Sequence, residues 1–185
     1  MMNLKPRDIL LMLFRASGNT ISGKTKIQKE CYLLSIRLQK DFNFRAYYYG
    51  PYSSTVDDSL SELVGVGFVE EKKLPWGVDG FGFEAVKYEY LLTEDGKIVA
   101  DLLKRTDIKS YKEIEGFVKT LKDLGDPDYM ILSVASKAYF ILDKEDKVMT
   151  LGEIKQKAKK FNWNLTTSDI DKAVEILKKL KMVKK

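Results

Sequence analysis

Apolar residues in the first third of the chain recur at helical spacing and stop at turn-forming residues. Ile9, Leu10, Leu13 and Phe14 make the stripe of a helix expected over residues 3–15, capped by Asn3, with Pro6 in its opening turn and Ser17-Gly18-Asn19 as its stop. A second helix, over 24–39, places Ile27, Cys31, Leu34 and Leu38 on one face and Lys26, Lys29, Arg37 and Lys40 on the adjoining one. The block AYYYGPYSS, residues 46–54, has the aromatic density of an extended piece, then a Gly-Pro turn and serines able to cap the next helix. That third helix carries Val56, Leu60, Leu63 and Val64 and ends at Gly65 and Gly67.

Two strands follow, over 68–74 and 84–93, joined by PWGVDGFGF, whose glycines and proline argue against regular structure. Thr93 opens a helix running to 105. Beyond it the pattern is helical throughout. Tyr111, Ile114, Val118 and Leu121 repeat at three and four over 107–124; packing within the molecule is the reading two heptads favour, and a dimer seam is the alternative. Asp126-Pro127 signals a helix to 142, and Thr150 with Glu153 forms a capping box, stapled by Met149 and Ile154, for one to 161. A last helix over 168–181 buries Ile170, Val174, Leu177 and Leu180.

The expected fold is therefore mainly α with α+β character. A winged helix-turn-helix domain with a two-stranded wing occupies residues 1–105, and a helical domain occupies 106–185. Aligning Val56 with Ile170 also sets Leu60 on Val174, Leu63 on Leu177, Val66 on Leu180 and Phe68-Val69 on Met182-Val183. A second, wingless helix-turn-helix unit would produce that frame, and so would any amphipathic helix ending near a strand. The two readings stand level.

The blocks KTKIQKECYLL (24–34), YYYGPYSSTVDDSLSELVGVGFVEE (47–71) and YEYLLTEDGKIVADLL (88–103) resemble the YwgA-like proteins and the antitoxin-type SocA or Panacea domain. That resemblance implies a winged helix. Because the SocA-type family includes antitoxins that act by gripping a toxin, it also implies a protein partner.

Composition narrows the chemistry. With no histidine and one cysteine, Cys31, the chain has no Ser-His-Asp or Cys-His catalysis and no zinc site built on histidines or several cysteines. Gly77, Gly80 and Gly82 lack the lysine and the strand-to-helix context of a phosphate loop. No catalytic residue, metal site or cofactor is expected. No apolar run has the roughly 18 residues a membrane span needs, so no membrane contact and a cytoplasmic setting are expected.

Net charge is +5 and the isoelectric point about 9.0. The excess lies late: 15 basic against 14 acidic residues up to Arg105, then 17 against 13. Double-stranded DNA is thus the leading expected partner, met by Lys24, Lys26, Lys29, Arg37 and Lys40 on the second helix, Ser54 and Thr55 at the start of the third, and Lys72, Lys73 and Lys87 on the hairpin. Lys155, Lys157, Lys159 and Lys160 are further candidates in the C-terminal part. Against this, the third helix offers Asp57, Asp58 and Glu62 and no cation. The alternative is a protein-binding module of antitoxin or adaptor type using that helix and Trp76, Phe81 and Phe83 of the loop, and a homodimer is compatible with either. Tyr47, Tyr48, Tyr49 and Tyr52 are expected to pack into the core and turn, with base stacking as the alternative.

Overall fold

Six consecutive apolar residues, Ile9 to Phe14, make the first helix the axis of the core. The computed structural model describes residues 4–78 and 84–183, without the side chains of Trp76, Val78, Glu84 and Ala85. In it α1 (Pro6–Ser17) buries all six. Pro6 takes the first helical position, where its missing N–H has no helical acceptor to lose. The backbone N–H of Lys5 donates to Asp8 Oδ2 at 2.9 Å, and Gly18, at φ 96°, closes the helix in the left-handed region. Asn3, expected as the cap, lies outside the described residues.

A helix buried on all sides needs neighbours all round. They are β1 (Thr20–Ser22), α3 (Ser54–Gly65), α4 (Glu94–Thr106), α5 (Ile108–Asp123) and the end of β3 (Glu84–Leu92). β1 was not expected, because three residues are too few to show a strand's alternation. It pairs antiparallel with β3, Ile21 opposite Tyr90, giving a three-stranded sheet in the order β1-β3-β2 with β2 (Val69–Val78) outermost.

The hairpin corrects one expectation. β2 does not stop at Leu74 but continues through Pro75 to Val78, with a bulge between Pro75 and Gly77. Proline is tolerated there because β2 is an edge strand, and Gly77, at φ 108°, takes a conformation other residues avoid. Phe81 and Phe83, the expected tip aromatics, lie outside the described residues, and so does the side chain of Trp76.

α2 (Lys24–Arg37) departs most from its pattern. Beyond Ile27, Cys31 and Leu34 it buries Gln28, Lys29, Glu30, Tyr32, Leu33 and Ser35. It is enclosed by β1, α3, α5, α6 (Tyr129–Glu145) and the 40–53 segment, so the expected one-sided positive face does not exist. Helix starts elsewhere follow their caps: Ser53 Oγ accepts from Val56 N–H at 3.2 Å and Thr93 Oγ1 from Gly96 N–H at 3.1 Å.

The expected seam of α5, Tyr111, Ile114, Val118 and Leu121, is buried within the chain, where α5 packs on α1. α6 begins two residues later than Asp126-Pro127 suggests: Asp128 Oδ1 accepts from Met130 and Ile131 N–H, while Asp126 sits at φ 53°. α7 (Leu151–Lys159) starts at the expected Thr150–Glu153 box, and α8 (Thr167–Lys179) at a second box between Thr166 and Asp169. Both pack on α6, and Trp163 from the turn between them stacks on Phe161 at 4.8 Å and meets the edge of Phe140 at 5.8 Å. Met182 and Val183, matched in sequence to the start of β2, form a bend and not a strand.

The described residues thus form eight helices and one small antiparallel sheet, a mainly helical α+β fold. One buried apolar cluster runs from Leu4 to Leu180. No described helix is long and apolar enough to cross a membrane.

Candidate functional site

The cations expected to meet phosphate are largely engaged inside the molecule. Lys24 Nζ lies 3.0 Å from Asp57, Lys26 Nζ 2.7 Å from Asp126, and Arg37 3.0 Å from Glu113. Lys29 is a correction: it is buried, donates to the Pro51 carbonyl at 2.7 Å, and burial, with Lys137 nearby, brings its pKa down to about 7. A side chain so placed reaches no ligand surface. Lys40 is half-buried at the end of α2. On the hairpin, Lys72 lies 3.8 Å from Glu70, Lys73 stands 5.8 Å from the centre of the Tyr88 ring, and Lys87 is half-buried.

Ser54 and Thr55 open α3, Ser54 exposed and Thr55 half-buried. The exposed face of that helix continues through Asp58, Ser61 and Glu62, the last held 2.8 Å from Arg7. This face is acidic and hydroxylic. Lys157 is also engaged, 2.7 Å from Glu145, whereas Lys155, Lys159 and Lys160 are exposed.

The tyrosines lie elsewhere than expected. Residues 45–52 are not a buried extended piece but a tight loop, closed by the Arg45–Tyr52 bridge with both backbone hydrogen bonds at 2.9 Å. Gly50 N–H donates to Tyr47 O at 3.0 Å, and Gly50 adopts φ 99°, which a side chain would strain. The turn throws its tyrosines outward: Tyr47 is 64% exposed, Tyr48 73% and Tyr49 47%. A Cβ at Gly50 would also meet the Lys137 side chain at 3.0 Å, so the loop sits directly on α6.

Beneath the loop runs a groove of about 350 Å³ between Tyr48 and Tyr49 on one side and Met130, Ile131 and Trp163 on the other. The Tyr48 and Tyr49 rings meet edge to face at 4.8 Å, and Tyr129 extends the aromatic edge at 6.4 Å from Tyr49. Trp163 Nε1 donates to the Tyr47 carbonyl at 2.7 Å, tying the α7–α8 turn to the loop. Within the groove Lys137 stands 5.6 Å from the centre of the Trp163 ring, its pKa lowered by burial, and Ser133 Oγ is buried with no hydrogen-bond partner among the described residues. Lys172 and Asp169 sit at the rim, the aspartate already engaged by Thr166.

An amphipathic wall with a half-buried ammonium and a spare hydroxyl accepts an apolar side chain beside a carboxylate. Of its members only the tyrosines were singled out in the sequence. Tyr129-Met130-Ile131 carries a signal, three apolar residues in the first turn of α6 ahead of the buried Leu132, more than one stripe requires. No group of three or more acidic or thiol side chains among the described residues is placed to hold a metal ion.

No protein-family model matches the chain. It is similar to the uncharacterized protein YwgA of Bacillus subtilis (strain 168), 28% identical over 183 residues, which is 97% of this chain and 99% of that protein. The similarity to this protein thus reaches well beyond the three sequence blocks, over 97% of the chain.

Proposed function

We propose that this chain is a winged helix-turn-helix module that works as a protein-binding adaptor, not as an enzyme, and grips an acidic, partly apolar segment of its partner in the tyrosine-lined groove. The observation that carries this reading is the exposed edge of Tyr48, Tyr49, Met130 and Ile131 around the half-buried Lys137. Exposed aromatics gathered beside a desolvated cation are typical of interface hot spots.

The order α1, β1, α2, α3, β2, β3, with β1 closing on β3, supports the winged-helix frame, in which the β2–β3 ribbon is the wing. The likeness of the sequence blocks to SocA-type domains supports a protein partner. A cytoplasmic setting suits Cys31, a lone thiol that burial keeps protonated. Affinity capture from the source organism tests the reading. Recovery of a specific protein should fall severalfold with Tyr48→Ala/Tyr49→Ala, and equal recovery argues against the groove.

Duplex DNA is the second reading, favoured by the exposed Lys155 and Lys159 on α7, Lys160 just past its end, and Lys172 and Lys179 on α8. On this reading contact is electrostatic and comes from the C-terminal helices, because α3 presents carboxylates. A salt-titrated gel shift tests it, with binding expected at low ionic strength and lost as salt rises. Ile98 and Leu102, one turn apart and exposed on α4, are the face on which a homodimer would close, which sedimentation of the Leu102→Glu variant tests.

A further inference from the structure

The cleft where α2 begins is separate from the tyrosine groove and bears its own signal. It holds about 740 Å³ and opens between β1, β3 and the turn joining α5 to α6. α2 starts there behind Gly23, whose N–H donates to the Tyr88 carbonyl at 2.9 Å. No side chain caps this helix and no acidic residue stands in its first turn; Lys24 and Lys26 stand there instead. The first N–H groups of a helix point outward with about half a positive charge behind them, and with two lysines they favour an anion.

A second observation lies deeper on the same helix. Glu30 is fully buried and lines the cleft, and its Oε2 has no hydrogen-bond partner among the described residues. The nearest cation, Lys26 Nζ, stands 4.0 Å from Oε1 and is closer to Asp126, at 2.7 Å. A buried carboxyl oxygen left unpaired is costly, and an N–H donor from a ligand satisfies it. Val86, Tyr88 and Tyr129 give the cleft an apolar and aromatic wall.

We propose that this cleft binds a nucleoside monophosphate, with the phosphate on the start of α2 between Lys24 and Lys26, a base N–H donated to Glu30 Oε2, and the ring against the aromatic wall. Two lysines and a helix start match a doubly charged phosphate better than a singly charged carboxylate. Glu30 lies six residues, about 9 Å of helix, beyond Lys24 at the helix start, a span that suits a phosphate and a base edge on one small molecule. The Lys24 side chain remains 44% exposed in its pair with Asp57 and lines the cleft. This ligand site stands whether or not the tyrosine groove binds a protein.

The test is thermal melting and calorimetric titration of the full chain with AMP, GMP, the two nucleosides and inorganic phosphate, at matched ionic strength with sulfate as control. At least one monophosphate should raise the melting temperature more than phosphate or its nucleoside does. Glu30→Gln, which replaces a chargeable acceptor by a neutral amide, should weaken that monophosphate about tenfold and leave the response to phosphate unchanged. Lys24→Met, on the exposed rim, should weaken both, and it keeps the test decisive if the Glu30 variant does not fold. Absence of any monophosphate response overturns the proposal, as does a nucleotide response no larger than that of phosphate or sulfate.

Discussion

Lys29 Nζ donates a 2.7 Å hydrogen bond to the carbonyl of Pro51, and that bond pins the tyrosine loop to the middle of α2. Its neighbour Gln28 adds two more, donating to Ser53 O at 2.9 Å and accepting from Ser53 N–H at 3.0 Å, while Ser53 Oγ donates to Phe42 O. Consecutive buried polar residues on one helix thus fix the C-terminal end of the segment that carries Tyr47, Tyr48 and Tyr49, and Ser53 ties that end to Phe42 at the other.

Gln28→Leu leaves the N–H of Ser53 unpaired in the interior, while its carbonyl keeps the bond from Asp57 N–H at 3.1 Å. It should destabilise the fold by about 1 to 3 kcal/mol, read from urea unfolding, the cost of one buried polar group left unsatisfied. A loss under half a kcal/mol would mean that the loop is not anchored there.

Glu30 and Lys29 give stability a trough near neutral pH. Burial pushes Glu30 up from 4.5 to about 7, Lys26 partly opposing, so its contribution is present below 4.5 and lost as pH rises to about 7. Burial pulls Lys29 down from 10.5 to about 7, so its contribution is present above 10.5 and lost as pH falls to about 7. Unfolding midpoints should therefore dip near pH 7, and Glu30→Gln should flatten the acid side of the dip. A profile that only rises through neutrality contradicts the Glu30 assignment, and one that only falls contradicts that of Lys29.

Two glycines on helices should respond oppositely to alanine. At Gly96, in the first turn of α4, a Cβ would collide with the Phe68 carbonyl, and Gly96→Ala should cost about 3 kcal/mol, since backbone yields poorly to overpacking. At Gly116 on α5 the space is open, and Gly116→Ala should add about 0.5 to 1 kcal/mol through helix propensity. Thermal melts of the two variants check this, and equal shifts would count against the packing of α4 on the start of β2.

The sequence made these elements legible where one principle dominated. The capping box at Thr150, the glycine stops after α1 and α3, and the buried stripe of α5 each follow from local chemistry. It misled where tertiary surroundings overrode the pattern. Lys29 sits at helical spacing with Lys26 and Arg37, and nothing local tells that the 40–53 segment folds back over it. The tyrosines have the look of a core strand, yet the turn from Tyr47 to Gly50 throws them out. β1 is too short to announce itself, and the cleft at Glu30 is assembled from segments a hundred residues apart.

The groove reading requires tyrosines that serve contact and not folding. Tyr48→Ala should change stability by no more than about 0.5 kcal/mol, as expected for an exposed position. A larger loss in urea unfolding would recast Tyr48 as a structural residue.

Photocrosslinking inside the source organism measures the central claim most directly, with benzoylphenylalanine placed at Tyr48 and, as a control, at the exposed Glu115 on the outer face of α5. The account predicts one discrete light-dependent protein adduct from position 48, diminished by Lys137→Glu, and none from position 115. No adduct at 48, or the same adduct from both positions, would contradict it.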